Sequence, residues 1–236
     1  MNQKVDASDQ LRSVDCVYEP DPRTKMFVRL DIRTGDVYPR VLADQYGAIA
    51  FFKLHETVPS VVLVHFETAK NLYLYAWFVY RFYPVAEQQA LASLEFALRE
   101  RLPDFVAAEK RKHRMGFEPG LKSLLGYAVK EGIVRNEKFS TRERWARKRA
   151  ESRYRFQKSE EMRNTNVDSL VIDESEAVVT QEDLDCDWLN IFLETIPSIR
   201  NDYAHGSRTL RNNVLHSFEL VTEIINQLYP KAEIGA

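Results

Sequence analysis

Cysteine is nearly missing from this 236-residue chain: Cys16 and Cys186 lie far apart and belong to no paired pattern. That excludes a disulfide framework or a thiolate zinc site and points to a reducing compartment. The other metal ligand of choice is scattered, since His55, His65, His113 and His216 have no ligand spacing; neither a metal nor a cofactor is expected. There are no long repeats and no low-complexity tracts. No long apolar run is uninterrupted. The nearest, Pro59 to Tyr83, is broken by His65, Glu67, Lys70, Asn71 and Arg81, and each charge near a bilayer centre would cost roughly 2.5–3.5 kcal/mol. A buried helix is the better reading, with no membrane partner. The N-terminus, Met-Asn-Gln-Lys-Val-Asp, lacks the apolar core of a signal peptide, so a cytoplasmic location is expected. A net charge of −2 means that the chain is not basic throughout.

What is present is an ordinary globular balance, 44% apolar and 29% charged, enough for one domain with an appendage. Residues 1 to about 12 are polar and read as loosely attached. Alternation through Met26–Ile32 and Val37-Tyr38, around Arg33-Thr34-Gly35-Asp36, predicts a small hairpin. Such a hairpin is marginal alone and must lean on the helices downstream. A short helix is predicted within Leu42–His55, then a long one from Val61 to Tyr83. Pro84 opens the next, with Ala90, Leu91, Leu94, Ala97, Leu98 and Leu102 on one face. Pro103 ends or kinks it, and a helical continuation runs from Asp104 into the cations Lys110–Arg114. Leu121, Leu124, Leu125, Ala128 and Val129 mark another helix closed by Gly132. On these helices His65 reads as a core histidine, and Glu95 as the i, i+4 partner of Arg99. Tyr73, Tyr75, Tyr80 and Tyr83 read as core and interface.

The near-neutral total conceals two opposed blocks. Arg135–Lys158 holds ten Lys/Arg against three Glu, whereas Ser159–Asp187 holds ten acidic residues against one Arg. Ser140-Thr141-Arg142-Glu143 reads as a capping box for a helix from Thr141 to about Lys158. Its cations and aromatics make Arg142, Arg144, Trp145, Arg147, Lys148 and Arg149 candidate RNA contacts, the basic groups on phosphate and Trp145 for stacking. The bland alternative is a solvated helix held by the acidic block that follows it, the commoner fate of a charge run.

Thr180 and Asp183 can cap the next helix start. Leu184, Trp188, Ile191, Phe192, Thr195, Ile199 and Tyr203 give that helix an apolar face, kinked or restarted near Pro197. It runs into Arg200-Asn201-Asp202-Tyr203-Ala204-His205-Gly206. The bland reading is a helix end: Gly206 as C-cap, Arg200 and His205 as cations favourable with the dipole by about 0.3–1 kcal/mol each. The chemical reading starts from the same place. Asn201 and His205, four apart, share a face. Arg200 lies about 140° from His205 on an ideal helix, within reach through its long side chain and the fraying end. His205 would serve as acid and base, and Arg200 as a fork for phosphate. Asp202 is a further candidate RNA contact. The closing helix, about Leu210 to Tyr229, repeats Val214, Phe218, Val221, Ile225 and Leu228.

Arg200-Asn201-Asp202-Tyr203-Ala204-His205 resembles the Arg-(four to six residues)-His signature of HEPN domains. The preceding apolar helix, the following Gly206, the closing helix and the Ala-rich helix Ala90–Leu102 with Glu95 are similar too. The resemblance covers roughly Val61 to Tyr229, with an apparent insertion. It implies a helical bundle that pairs as a homodimer and brings two motifs into one cleft. It also implies a metal-independent endoribonuclease, of toxin–antitoxin or other defence systems, with RNA as substrate and an antitoxin or other regulatory protein as partner. Arg200 would touch the scissile phosphate, His205 would be general acid and base, and Asn201 would orient. Ser207 stands where some family toxins carry a tyrosine that a partner modifies. Other members of the family are catalytically silent modules that bind a partner protein or a nucleotide.

The fold expected is therefore mainly α. It is a HEPN-like antiparallel bundle of about five main helices, with an N-terminal β-hairpin element and a charged insertion. Residues 1–43 form the extension, 44–236 the helical domain, and 135–181 the insertion. A third class, a DNA-binding regulator using the basic helix, predicts steep salt dependence and indifference to His205.

Overall fold

A computed structural model describes residues 5–31, 33–113, 116–165, 169–204 and 211–232; the side chains of 197, 198 and 200–204 lie outside it. The described residues are mainly helical, with nine α-helices and one two-stranded antiparallel sheet. The helices are α1 (Leu42–Ala50), α2 (Ser60–Tyr75), α3 (Phe82–Arg101), α4 (Pro103–Lys112), α5 (Leu121–Lys130), α6 (Arg142–Thr165), α7 (Gln181–Leu184), α8 (Trp188–Ala204) and α9 (Leu215–Leu228).

α3 is the central element and packs against α2, α4, α5, α8 and α9. Its small residues Ala86, Ala90 and Ala97 and its leucines Leu91, Leu94 and Leu98 are all buried. Alanines let neighbouring helices approach closely, and the leucines fill the spaces between them. The repeat expected in α9 holds: Val214, Phe218, Val221, Ile225 and Leu228 are buried. Phe218 meets Phe52, Phe66 and Tyr73 at ring separations of 6.3, 6.0 and 5.9 Å.

The long helix expected from Val61 to Tyr83 ends early: α2 stops at Tyr75, a turn spans 76–81, and α3, the helix expected to open at Pro84, begins at Phe82. Pro84 supplies the reason. A proline tolerates only the first turn of a helix, where its missing N–H is not needed and its ring meets no earlier carbonyl. Placing Pro84 there forces the preceding helix to stop. The stop is stitched from the N-terminal extension: Asp21 N donates to Trp77 O at 2.9 Å, and the Asp21 carboxylate accepts from Tyr80 N at 3.1 Å.

Within the described residues from Val5 on, that extension is attached, contrary to the loose tail expected before residue 12; residues 1–4 lie outside the described residues. Asp9 bridges Arg23 (3.0 Å) and Arg81 (2.7 Å). Asp21 is wholly buried and accepts from Arg23 Nε at 2.8 Å. Burial pushes its carboxyl up, but hydrogen bonds from the Arg23 side chain and from the Arg23 and Tyr80 amides outweigh it and hold the group below its usual range. The hairpin forms as expected, with β1 (Val28–Leu30) against β2 (Val37–Pro39), Arg29 opposite Tyr38. Gly35 turns it at φ +77°, a conformation suited to glycine. The strands themselves are exposed. The hairpin leans through Phe27, whose ring lies 6.1–6.5 Å from those of Trp77, Tyr80 and Tyr83.

α6 reaches Thr165, beyond the end expected near Lys158. Its expected capping box does not form as read, because Ser140 N donates to Glu223 of α9 at 2.8 Å and its hydroxyl bonds to the same carboxylate. At α7 the expected cap does form: Asp183 Oδ2 accepts from Thr180 N (2.8 Å) and Oγ1 (2.9 Å). α8 continues as helix through Pro197. Among the described residues no helix is long and apolar enough to cross a membrane.

Candidate functional site

The Arg200–His205 stretch is carried by α8, whose start is fixed by local hydrogen bonds. Asp187 Oδ1 accepts from Asn190 N at 3.0 Å and from the Asn136 side chain at 2.7 Å, while Asn136 Oδ1 accepts from Leu189 N at 3.1 Å. Leu189, Phe192 and Ile196 are buried, and Ile199 packs half-buried on the same core. This i, i+3, i+7, i+10 series lays α8 against α3 and α5. The helix runs to Ala204. Arg200, Asn201 and Asp202 therefore sit on its last turns, with side chains outside the described residues; His205 lies outside them altogether.

The chain re-enters the core at Val214, and α9 is then tied to α3. Ser217, nearly buried, donates to the buried carboxylate of Glu87. One helix, α3, thus supports both flanks of the motif: α8 before it and α9 after it.

Beside the start of α9 stands a cluster that sequence reading missed. Glu219 accepts from the Trp145 indole Nε1 at 2.9 Å and from the Arg144 guanidinium, and lies 3.6 Å from His216 Nδ1. His216 meets the rings of Trp145 and Trp188 at 5.9 and 6.4 Å. Burial lowers the His216 pKa below its ordinary value; Lys148 and Arg144 push it the same way, and Glu87 opposes them.

The candidate RNA contacts on α6 are mostly engaged inside the chain. Arg142 Nε donates to Leu184 O at 2.9 Å, and its guanidinium lies 3.2 Å from Asp185. Arg147 pairs with Glu151 (2.9 Å) and donates to the carbonyls of Ala177 (2.7 Å) and Glu174 (2.8 Å). Arg149 reaches Cys186 Sγ at 2.8 Å and Asp183 at 3.8 Å. Arg144 is held by Glu219. Trp145, a candidate for stacking on RNA, is instead a core residue, 3% exposed, against Phe139 and Trp188. Its ring faces apolar neighbours because the polar helix has only this one apolar patch, Trp145, Ala146 and Ala150, to bury. Lys148 makes no ion pair among the described residues. The acidic segment thus clamps the basic helix. Arg153 and Arg155 complete the clamp on Asp183 and Glu174, and the Tyr154 hydroxyl donates to Glu176.

Two smaller expectations resolve in opposite ways. Glu95 binds Arg99 at 2.6 Å, as the spacing implies. His65 is not in the core: it is exposed and lines a surface cleft with Gln89 and Phe96. The helical recurrence of Gln88, Ala92, Glu95, Phe96 and Arg99 was the signal available for that cleft. Among the described residues no group of His, Cys, Asp and Glu is arranged to hold a metal ion.

Comparison of the chain with known protein families, curated proteins and solved structures finds no match.

Proposed function

We propose that this chain is a metal-independent endoribonuclease of the HEPN type, active as a homodimer. The observation that carries the reading is the position of Arg200-Asn201-Asp202-Tyr203-Ala204-His205. It begins on the last turns of a helix whose preceding residues Leu189, Phe192 and Ile196 are buried in the core, and it concentrates polar residue types at that helix's end. One element, α3, packs against both the helix before the motif and the helix after it, the kind of support that a catalytic constellation needs.

In this reading the substrate 2′-hydroxyl attacks the adjacent phosphorus. His205 accepts the hydroxyl proton as the 2′-O–P bond forms, and a His205, from the same or the second copy, returns a proton to the departing 5′-oxygen as the P–O5′ bond breaks. The products are a 2′,3′-cyclic phosphate and a 5′-hydroxyl. Arg200 lies against the non-bridging oxygens, and Asn201 orients the phosphate. A regulatory protein that restrains such an activity is the partner this reading implies.

A second reading, a catalytically silent HEPN-like module that binds a partner protein or a nucleotide, has one observation in its favour. The basic helix that would hold RNA is already clamped by the acidic segment. Incubation of the full chain with single-stranded RNA in EDTA separates the two. The nuclease reading expects cleavage to cyclic phosphate ends and a loss of about 10²–10⁴-fold in His205→Ala. No cleavage over a range of RNAs, or equal cleavage by the variant, leaves the silent module.

A further inference from the structure

Between α2, α3 and the start of α5 the surface opens into a cleft of about 350 Å³. This is within the size range of small-ligand sites, roughly 300–1,000 Å³. Its floor is apolar, from buried Leu91 and Leu121. Its walls carry two unsaturated rings, His65 and Phe96, with centroids 4.9 Å apart and planes inclined by 50°. Its rim is made of amides and one ion pair: Gln88, Gln89, Glu95 and Arg99. Gln89 Nε2 lies 3.5 Å from His65 Nδ1.

Each feature restricts the occupant. A carboxamide presents donor hydrogens and an acceptor oxygen in one plane, the pattern that reads the edge of a base. The aromatic walls favour a flat π-system over an aliphatic group. Arg99 is paired with Glu95 at 2.6 Å and donates to Pro119 O at 3.2 Å, with Glu118 3.9 Å away. The rim is therefore not a net cation, and a phosphate gains nothing from entering.

We propose that this cleft binds a single nucleobase, by stacking at Phe96 and His65 and by edge recognition from Gln88, Gln89 and the Arg99–Glu95 pair. The site stands on its own geometry and does not depend on cleavage at His205. The base can come from a free nucleotide or be splayed out of a single-stranded RNA, since the cleft reads the same atoms in both.

Calorimetric titration of the full chain with AMP, GMP, CMP, UMP and ribose 5-phosphate tests it, followed by short single-stranded RNAs added to the His205→Ala chain, which keeps them intact. Saturable one-to-one binding of at least one mononucleotide, and none of ribose 5-phosphate, is expected and assigns a free nucleotide. Binding of RNA alone assigns a base presented by a strand. His65→Ala and Gln89→Leu, both at the surface of the cleft, should each weaken binding about ten-fold with unchanged melting temperature. Phe96→Ala should weaken it further. The proposal is overturned if no ligand binds, if ribose 5-phosphate binds as well as the nucleotides, or if the His65 and Gln89 variants bind like the parent chain.

Discussion

Ser217, in the first turn of α9, donates its hydroxyl hydrogen to Glu87 on α3, and both side chains are almost entirely out of water. A carboxylate in the core of a helical bundle is tolerable only while its donors stay in place. The pair therefore fixes where the chain resumes after the motif. Ser217→Ala removes one donor and should destabilise the fold by about 1–3 kcal/mol, measured by urea unfolding. If the motif is catalytic, the same variant should also lower the cleavage rate, without altering the pH dependence that His205 sets.

Asp183 anchors the acidic segment on the basic helix. The Arg153 guanidinium, against the effect of burial, holds its carboxyl well below the usual range, at about 2, with help from Thr180. A depressed carboxylate pKa contributes stability that is present above the unfolded value, near 3.9, and is lost as pH falls through the folded value. The chain should thus lose stability between about pH 4 and pH 2. Asp183→Asn should be less stable at pH 7 and show a flatter profile across that window, read by chemical denaturation at each pH.

His216 titrates in the opposite region. Its folded pKa lies below the unfolded value near 6.5, so protonation favours the unfolded chain. Its contribution is fully present above about pH 6.5 and declines as pH falls through that value toward the folded pKa. Proton NMR of the imidazole should show a midpoint below 6.5. Lys148→Ala, which removes a neighbouring cation, should raise that midpoint; an unchanged midpoint would contradict the assignment of Lys148 as a cause.

Trp145 is a structural residue on an otherwise polar helix. Trp145→Ala should cost about 3–5 kcal/mol and leave Glu219 without its indole donor. A Trp145→Ala variant that folds as stably as the parent but binds RNA less well would restore the stacking role that burial argues against.

The helical content was written plainly in the periodicity. Ala90, Leu94 and Leu98, or Val214, Phe218 and Ile225, recur at the helical period and all face the core. The hairpin was legible from Gly35 and its alternating flanks. A boundary between α2 and α3 was legible at Pro84, but the early end of α2 at Tyr75 was not, because the apolar run continues past it and the partner groups that complete the stop come from Asp21, more than fifty residues earlier. The docking of Asp9 on Arg81 is likewise invisible to local pattern.

The candidate site divides along the same line. The Arg200–His205 reading came from the sequence, from residue types, their spacing and the resemblance of the flanking segments, since a motif of this kind is a property of neighbouring positions in the chain. Whether a basic helix meets RNA or its own acidic successor is a property of distance in space. Only the tertiary structure could bring Arg153 to Asp183 and Arg147 to the Ala177 carbonyl, and turn Trp145 inward. The cleft of His65, Gln89 and Phe96 has the same origin: its walls come from two helices, and no single stretch of sequence contains it.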